Sequence, residues 1–303
     1  MNTKRFRSTV LLGLLYLFVL CIHAEAQTFV SGKGQDTGAC PRATPCLTLS
    51  YSLSQTPLGG RVYVLDALEE DRRFAPLAIS QSVSIIGAGA RAGVRGNIYV
   101  TPEVGGQVLL KGLDIRAGGG TGLAIQGERL TVVVDDCTIT DGADGITFSP
   151  TGAANSNLNV RNSIIARNST AGLYIQPLST GKALVVIENV NVNNNGQGVL
   201  AYDNSTVTLR NSVSSENVFS GVRSEAVAGG QVSVFVEHSQ MSHNGGSGVI
   251  AVGATAVVRI TDVTITNNLV GVNYSSGGVV YSYGNNAIAA NASTLAPTVT
   301  PLG

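Results

Sequence analysis

The chain has 303 residues, with 19 Lys and Arg against 19 Asp and Glu, so it carries no net charge. A neutral chain lacks the long-range field that gathers nucleic acid or anionic lipid, which argues against a nucleic-acid binder. Trp is absent, charged residues are few, and Gly, Asn, Ser, Thr and Val are abundant. That is a composition of many short strands and tight turns rather than of helices.

Residues 1–26 read as a signal peptide. Lys4, Arg5 and Arg7 form a positive start, an apolar stretch runs over 10–21, and Ala24-Glu25-Ala26 offers a cleavage site. The stretch is short for a spanning helix, and no later segment is apolar and long enough to be one, so no integral membrane span is expected. The mature chain then starts at Gln27, with export to the periplasm, the medium or the cell surface of a bacterium. Export places cysteines in an oxidising compartment. Cys40 and Cys46 bracket a proline-stiffened turn, so a local disulfide is favoured over a metal site, for which no His or carboxylate cluster lies nearby. Residues 27–60 form an N-terminal cap. Within it 47–55 reads as a short amphipathic helix carrying Leu49 and Leu53, placed to cover the mouth of the core.

One phrase recurs from about residue 108 onward, in 132–139, 158–165, 185–192, 207–214, 234–241 and 258–265. Its central polar marker falls at Gly112, Asp136, Asn162, Asn189, Asn211, His238 and Asp262, in steps of 24, 26, 27, 22, 27 and 24 residues. Nine or ten residues past each marker comes a glycine followed by a branched apolar residue, at Gly122, Gly145, Gly172, Gly198, Gly221, Gly248 and Gly271. A repeat of this length holds two or three short strands and leaves no room for a crossover helix. Strands so short cannot bury an apolar face alone, so each coil must stack on the next, about 4.8 Å away. The expected fold is all-β: a right-handed parallel β-helix over 61–286, followed by a flexible C-terminal tail over 287–303.

Alignment turns into side-chain columns. Two residues before the marker, Leu110, Val134, Val160, Ile187, Leu209, Val236 and Ile260 form an inward aliphatic stack. Six residues after it stand Gly118, Gly142, Asn168, Asn195, Asn217, Asn244 and Asn268. Five stacked asparagines can pass amide hydrogen bonds from coil to coil, at turns where the backbone needs residues tolerant of the left-handed region. Cys137 falls on an inward position and reads as a buried small hydrophobe.

This repeat resembles the pectate-lyase-like right-handed parallel β-helix superfamily over nearly all of residues 28–290. The segments 28–34, 40–46 and 282–286 are similar to a group of largely uncharacterised exported bacterial β-helix proteins. The superfamily resemblance implies carbohydrate chemistry: lyases with carboxylates holding calcium and an Arg or Lys base, polygalacturonase-like hydrolases with three aspartates, a Gly-His-Gly and an Arg-x-Lys, and esterases with two aspartates and an Arg. Only Asp135-Asp136 superficially matches, and the chain has no Gly-His-Gly and no Arg-x-Lys.

Candidate sites are therefore sparse. The outward column one residue before the marker reads Lys111, Asp135, Arg161, Glu188, Arg210, Glu237 and Thr261, alternating in sign. It is either a solubilising ladder, each exposed pair contributing about 0–1 kcal/mol, or a polar groove that grips a charged glycan. Catalysis there would use Asp135, Arg161, Glu188, Arg210 or Glu237. But Glu188 and Glu237 stand two coils apart, about 10 Å, at the far edge of inverting-glycosidase geometry. His238 and His243 flank one turn and are candidate ligand-binding groups, although a turn-exposed histidine replacing an asparagine is the preferred reading. Asp141 and Asp144 could take calcium, the one cofactor to consider, but Asp-Gly is also ordinary turn chemistry. The expectation is a monomeric exported module that presents an elongated polar surface to polysaccharide or another cell-surface component, without a catalytic signature. A polysaccharide lyase and an adhesin-like structural solenoid are the alternatives.

Overall fold

The computed structural model describes residues 27–68, 77–89 and 92–300; the segment read as a signal peptide lies outside them. The chain winds as a right-handed parallel β-helix. Each full coil contributes one strand to each of three parallel sheets, which among the described residues hold twelve, ten and nine strands. In one coil Asn155–Arg161 lies in the twelve-stranded sheet, Ile164–Ala166 in the ten-stranded sheet and Ala171–Ile175 in the nine-stranded sheet.

Register follows the side-chain columns. Leu110, Val134, Val160, Ile187, Leu209, Val236 and Ile260 pair in sequence along the twelve-stranded sheet and are fully buried. The other two sheets send in parallel stacks, Ile115–Ile139–Ile165–Val192 and Leu123–Ile146–Leu173–Val199. Period-2 alternation puts every second residue of each strand inside, and each large aliphatic buried in this way contributes about 1.5–3 kcal/mol. Cys137 is buried as expected; burial pushes its thiol up to about 11, so it stays protonated and inert.

Left-handed positions recur at three corners of each coil, the third, after the nine-stranded sheet, being held by Gly152, Ser179, Asn204, Gly229, Gly253 and Gly277. The marker column is the first: Gly112, Asp136, Asn162, Asn189, Asn211, His238 and Asp262 all have φ between 46° and 66°. The second is the residue just before the asparagine column, occupied by Asp141, Arg167, Asn194, Glu216, His243, Asn267 and Ala290. The asparagines of the second column therefore do not themselves supply the left-handed backbone expected of them. They are there to hydrogen-bond.

The Oδ1 of Asn168 accepts from the Gly142 amide at 3.0 Å, and the Oδ1 of Asn195 accepts both the amide and the Nδ2 of Asn168 at 3.0 and 2.9 Å. The pattern repeats through Asn217, Asn244 and Asn268, then continues to Asn291. The second Nδ2 hydrogen goes to a backbone carbonyl, such as that of Ile165 for Asn195. A minor ladder runs beside it: the Oγ of Ser163, Ser212 and Ser239 accept the amides of Cys137, Val190 and Ser212 from the coil before.

The glycine column has a steric cause. A Cβ on Gly145 would sit 2.5 Å from Ile165 Cγ2 and 2.9 Å from Asn168 Nδ2, so the ladder and the core leave no room for a side chain.

At the N-terminal end the helix Leu49–Gln55 buries Leu49 and Leu53 over the mouth of the core. It starts where Thr48 Oγ1 accepts from the Tyr51 amide, and Asp36 accepts from the amides of Leu47 and Thr48. Cys40 and Cys46 form the expected disulfide, and both bond through their backbones to Phe29 of the first strand. At the other end, within the stretch read as a tail, Ala287–Ala289 and Thr298–Val299 extend two sheets by one strand each. No helix among the described residues is long and apolar enough to cross a membrane.

Candidate functional site

The charged column lies on the outer face of the twelve-stranded sheet in the expected register, Lys111 to Thr261. Its contacts are uneven. Asp135, only 4% exposed, lies 3.2 Å from both Lys111 Nζ and Arg161 Nε, and accepts from Asn162 Nδ2 at 3.0 Å. Burial pulls the Asp135 carboxyl upward, but Asn162, Lys111 and Arg161 outweigh it and hold the group below its ordinary value. Glu188 pairs with Arg210 at 3.0 Å. Among the described residues no ion pair within 4 Å links Arg161 to Glu188 or Arg210 to Glu237, so the ladder is a triplet, a pair and a separate Glu237. Held low by its partners, the Asp135 carboxyl is poorly placed to donate a proton.

His238 Nε2 lies 3.3 Å from Asp262 Oδ2, its neighbour in the marker column. The two line an open groove of about 530 Å³ with Asn211, Ser212, Gln240 and Thr264; His243 does not line it. The structure thus separates the two histidines. Asp141 and Asp144 have different partners. Asp141 makes a two-point contact with Arg167 at 2.9 and 3.3 Å, which together with Thr140 holds its carboxyl below the usual range. Asp144 opens the strand Asp144–Pro150 in the nine-stranded sheet, with Thr147 Oγ1 donating to it at 3.3 Å. Among the described residues no three His, Cys, Asp or Glu side chains gather as metal ligands.

The most functional-looking surface is one the marker alignment does not reach: the outer face of the nine-stranded sheet. Two residues past each glycine of the glycine column stand Ala124, Thr147, Tyr174, Leu200, Arg223, Ile250 and Asn273. Two residues further along lies a second outward row that includes Gln126, Ser149, Gln176, Tyr202 and Glu225. The Tyr174 and Tyr202 rings lie 5.5 Å apart, tilted by 58°. Beside them Arg223 Nε meets Glu225 Oε2 at 2.9 Å, with the two side chains 25% and 20% exposed. Leu200 and Ile250 also point outward, yet are only 6% and 8% exposed.

Partial burial shapes the electrostatics of this face. It pushes Tyr202 up to about 12 and raises Tyr174 as well, so both phenols remain neutral hydrogen-bonding groups. Arg223 holds Glu225 below the ordinary glutamate range against the opposing effect of burial, and Tyr202 adds a hydrogen bond. Asp144 goes the other way: burial raises it, and its Oδ1 is buried without a hydrogen-bond partner. Two ring faces flanked by hydroxyls, amides and one clamped ion pair form a surface suited to stacking and hydrogen bonding with a polar chain.

Comparison with known proteins places the architecture. A family model described as a right-handed beta helix region matches residues 92–214. No curated protein matches the chain by sequence. Among solved structures, the crystal structure of pectate lyase Pel9A is similar with a TM-score of 0.60 at 14% identity, over 91% of this chain and 77% of that one. A rhamnogalacturonan lyase gives 0.44 at 12% identity over 87% of each chain. The A-module of the Azotobacter vinelandii mannuronan C-5 epimerase AlgE4 gives 0.39 at 14% identity, over 84% of this chain and 93% of that one. The stacked coils, their register and the likeness to the first of these agree on the fold: the chain is a right-handed parallel β-helix.

Proposed function

We propose that the chain is an exported, monomeric carbohydrate-binding module that lays a polysaccharide along the outer face of its nine-stranded sheet without cleaving it. The observation that carries this reading is the half-buried group of Tyr174, Tyr202, Arg223 and Glu225, which points away from the core it has no part in building. Aromatic faces beside hydroxyl and amide groups match the alternating apolar and hydroxylated faces of a sugar ring. The fold of a pectate lyase is consistent with a glycan partner, but the likeness is one of fold.

The non-catalytic part rests on Arg223, the only cation on that sheet's strands among the described residues. A basic group must be poised near the working pH to abstract a proton. Arg223 is bonded to Glu225, which raises its pKa further from that range.

The test is retardation of the purified protein in gels containing soluble polysaccharides, with product release followed in parallel. Retardation without product, lost in the Tyr174→Ala, Tyr202→Ala double variant, is the expected result. Product release would replace the reading by a lyase, and no retardation on any polymer would remove it.

A further inference from the structure

The charges on the nine-stranded sheet decide which glycans it can hold. In its strands, which run from Leu77–Ile79 to Val270–Ser275, the charged residues among those described are Asp144, Arg223 and Glu225. The outward rows are otherwise built from Tyr, Gln, Thr, Ser, Asn and aliphatic side chains.

A polyuronate brings a carboxylate on every sugar. Laid on a half-buried face, each carboxylate loses water and must find an unpaired cation or go uncompensated. Arg223 offers no net counter-charge, because Glu225 neutralises it at 2.9 Å from Nε. Glu225 and Asp144 also present like charge, and Asp144 has no cation within 4 Å among the described residues. A neutral polymer meets none of these costs. Its hydroxyls find amide and hydroxyl partners and its ring faces find Tyr174 and Tyr202.

Building on the binding reading above, we propose that this sheet takes an uncharged glycan, and that Glu225 sets the specificity by neutralising Arg223 and so denying acidic polysaccharides their counter-charge. Glu225 acts here through Arg223 and is a positioning residue.

The experiment is affinity electrophoresis of the full-length protein and three variants against a panel of neutral soluble polysaccharides and against polygalacturonate. Wild type is expected to be retarded by a neutral polymer and to pass polygalacturonate freely. Glu225→Gln leaves Arg223 unpaired and should gain polygalacturonate retention by about tenfold, a gain that added salt abolishes. The Arg223→Gln, Glu225→Gln double variant should keep the neutral retention and gain nothing on polygalacturonate; a gain there would overturn the proposal even if the single variant did not fold. Wild type held more tightly by polygalacturonate, with that retention lost in the Tyr174→Ala, Tyr202→Ala variant, would overturn the uncharged-glycan assignment and leave the binding site standing. Retention by neither class would overturn both.

Discussion

Asn195 gives both its backbone amide and its Nδ2 to a single acceptor, the Oδ1 of Asn217, at 3.0 and 3.3 Å. One side chain thus closes two donors on the coil before it, and both residues are about 1% exposed. Removing it leaves those donors buried without partners and takes one donor, its Nδ2, from Asn244, a cost of about 1–3 kcal/mol for each stranded group. Asn217→Ala is expected to lower unfolding stability by about 3 kcal/mol or more. Asn291→Ala, at the half-exposed end of the same ladder, should cost about 1 kcal/mol. Denaturant midpoints of the two variants check the difference.

The glycine column makes a second comparison possible. A Cβ on Gly198 would lie 2.2 Å from Ser214 Oγ and 2.3 Å from the Gly221 carbonyl, whereas one on Gly229 meets nothing within 4 Å. Gly198→Ala should cost about 3 kcal/mol, as overpacking of a rigid core does. Gly229→Ala carries only the price of its φ of 83°, about 1–2 kcal/mol. Equal losses in thermal unfolding would mean that the coils shift to admit a methyl group, and the steric account would fail.

Two aspartates should respond to pH in opposite directions. Asp135 is held low, so its contribution is present above the unfolded carboxyl value and is lost as pH falls through the lower folded one. Asp135→Asn leaves Lys111 and Arg161 facing a neutral amide and should cost about 1–3 kcal/mol at neutral pH. Asp144 is raised by burial, so the folded state binds its proton more tightly than the unfolded state. Its ionisation therefore destabilises the protein as pH climbs from the unfolded value through the raised folded one. Asp144→Asn should raise stability at neutral pH and flatten the profile across that window. Melting temperatures from pH 3 to 8 read both signs, and a fall for Asp144→Asn at neutral pH would show that its carboxylate has a partner in solution.

Much of this architecture is legible in the chain because the repeat is written in side chains that do one job each. The aliphatic stack from Leu110 to Ile260, the asparagines and the glycines all follow from counting, since every coil must present the same atoms at the same height. Cys40 and Cys46 are legible for a different, local reason, the short proline-stiffened turn between them. The conformational role of the asparagines was misplaced by one residue, because the left-handed positions are filled by side chains as different as Arg167, Glu216 and Ala290. A corner that exposes its side chain sets φ and leaves identity free.

The tyrosine face is not legible in the repeat for a related reason. Tyr174, Tyr202, Arg223 and Glu225 do not repeat from coil to coil. Counted from the marker they also fall out of phase, because the distance from marker to glycine varies between nine and ten residues. Counted from the glycine, Thr147, Tyr174, Leu200 and Arg223 align. A binding surface is the part of a solenoid that need not repeat, so periodicity cannot reveal it.

The charged column imposes a parity on the coils. Excising residues 169–195 joins Asn168 to Gly196, recreates the natural Asn-Gly junction and sets Asn168 one rung from Asn217, so the amide ladder closes without a gap. The same excision removes Glu188 and brings Arg161 level with Arg210, two like charges about 4.8 Å apart. Excising 169–217 removes Glu188 and Arg210 together and sets Arg161 beside Glu237. The interior accepts any whole number of coils, while the exterior favours gains and losses in twos.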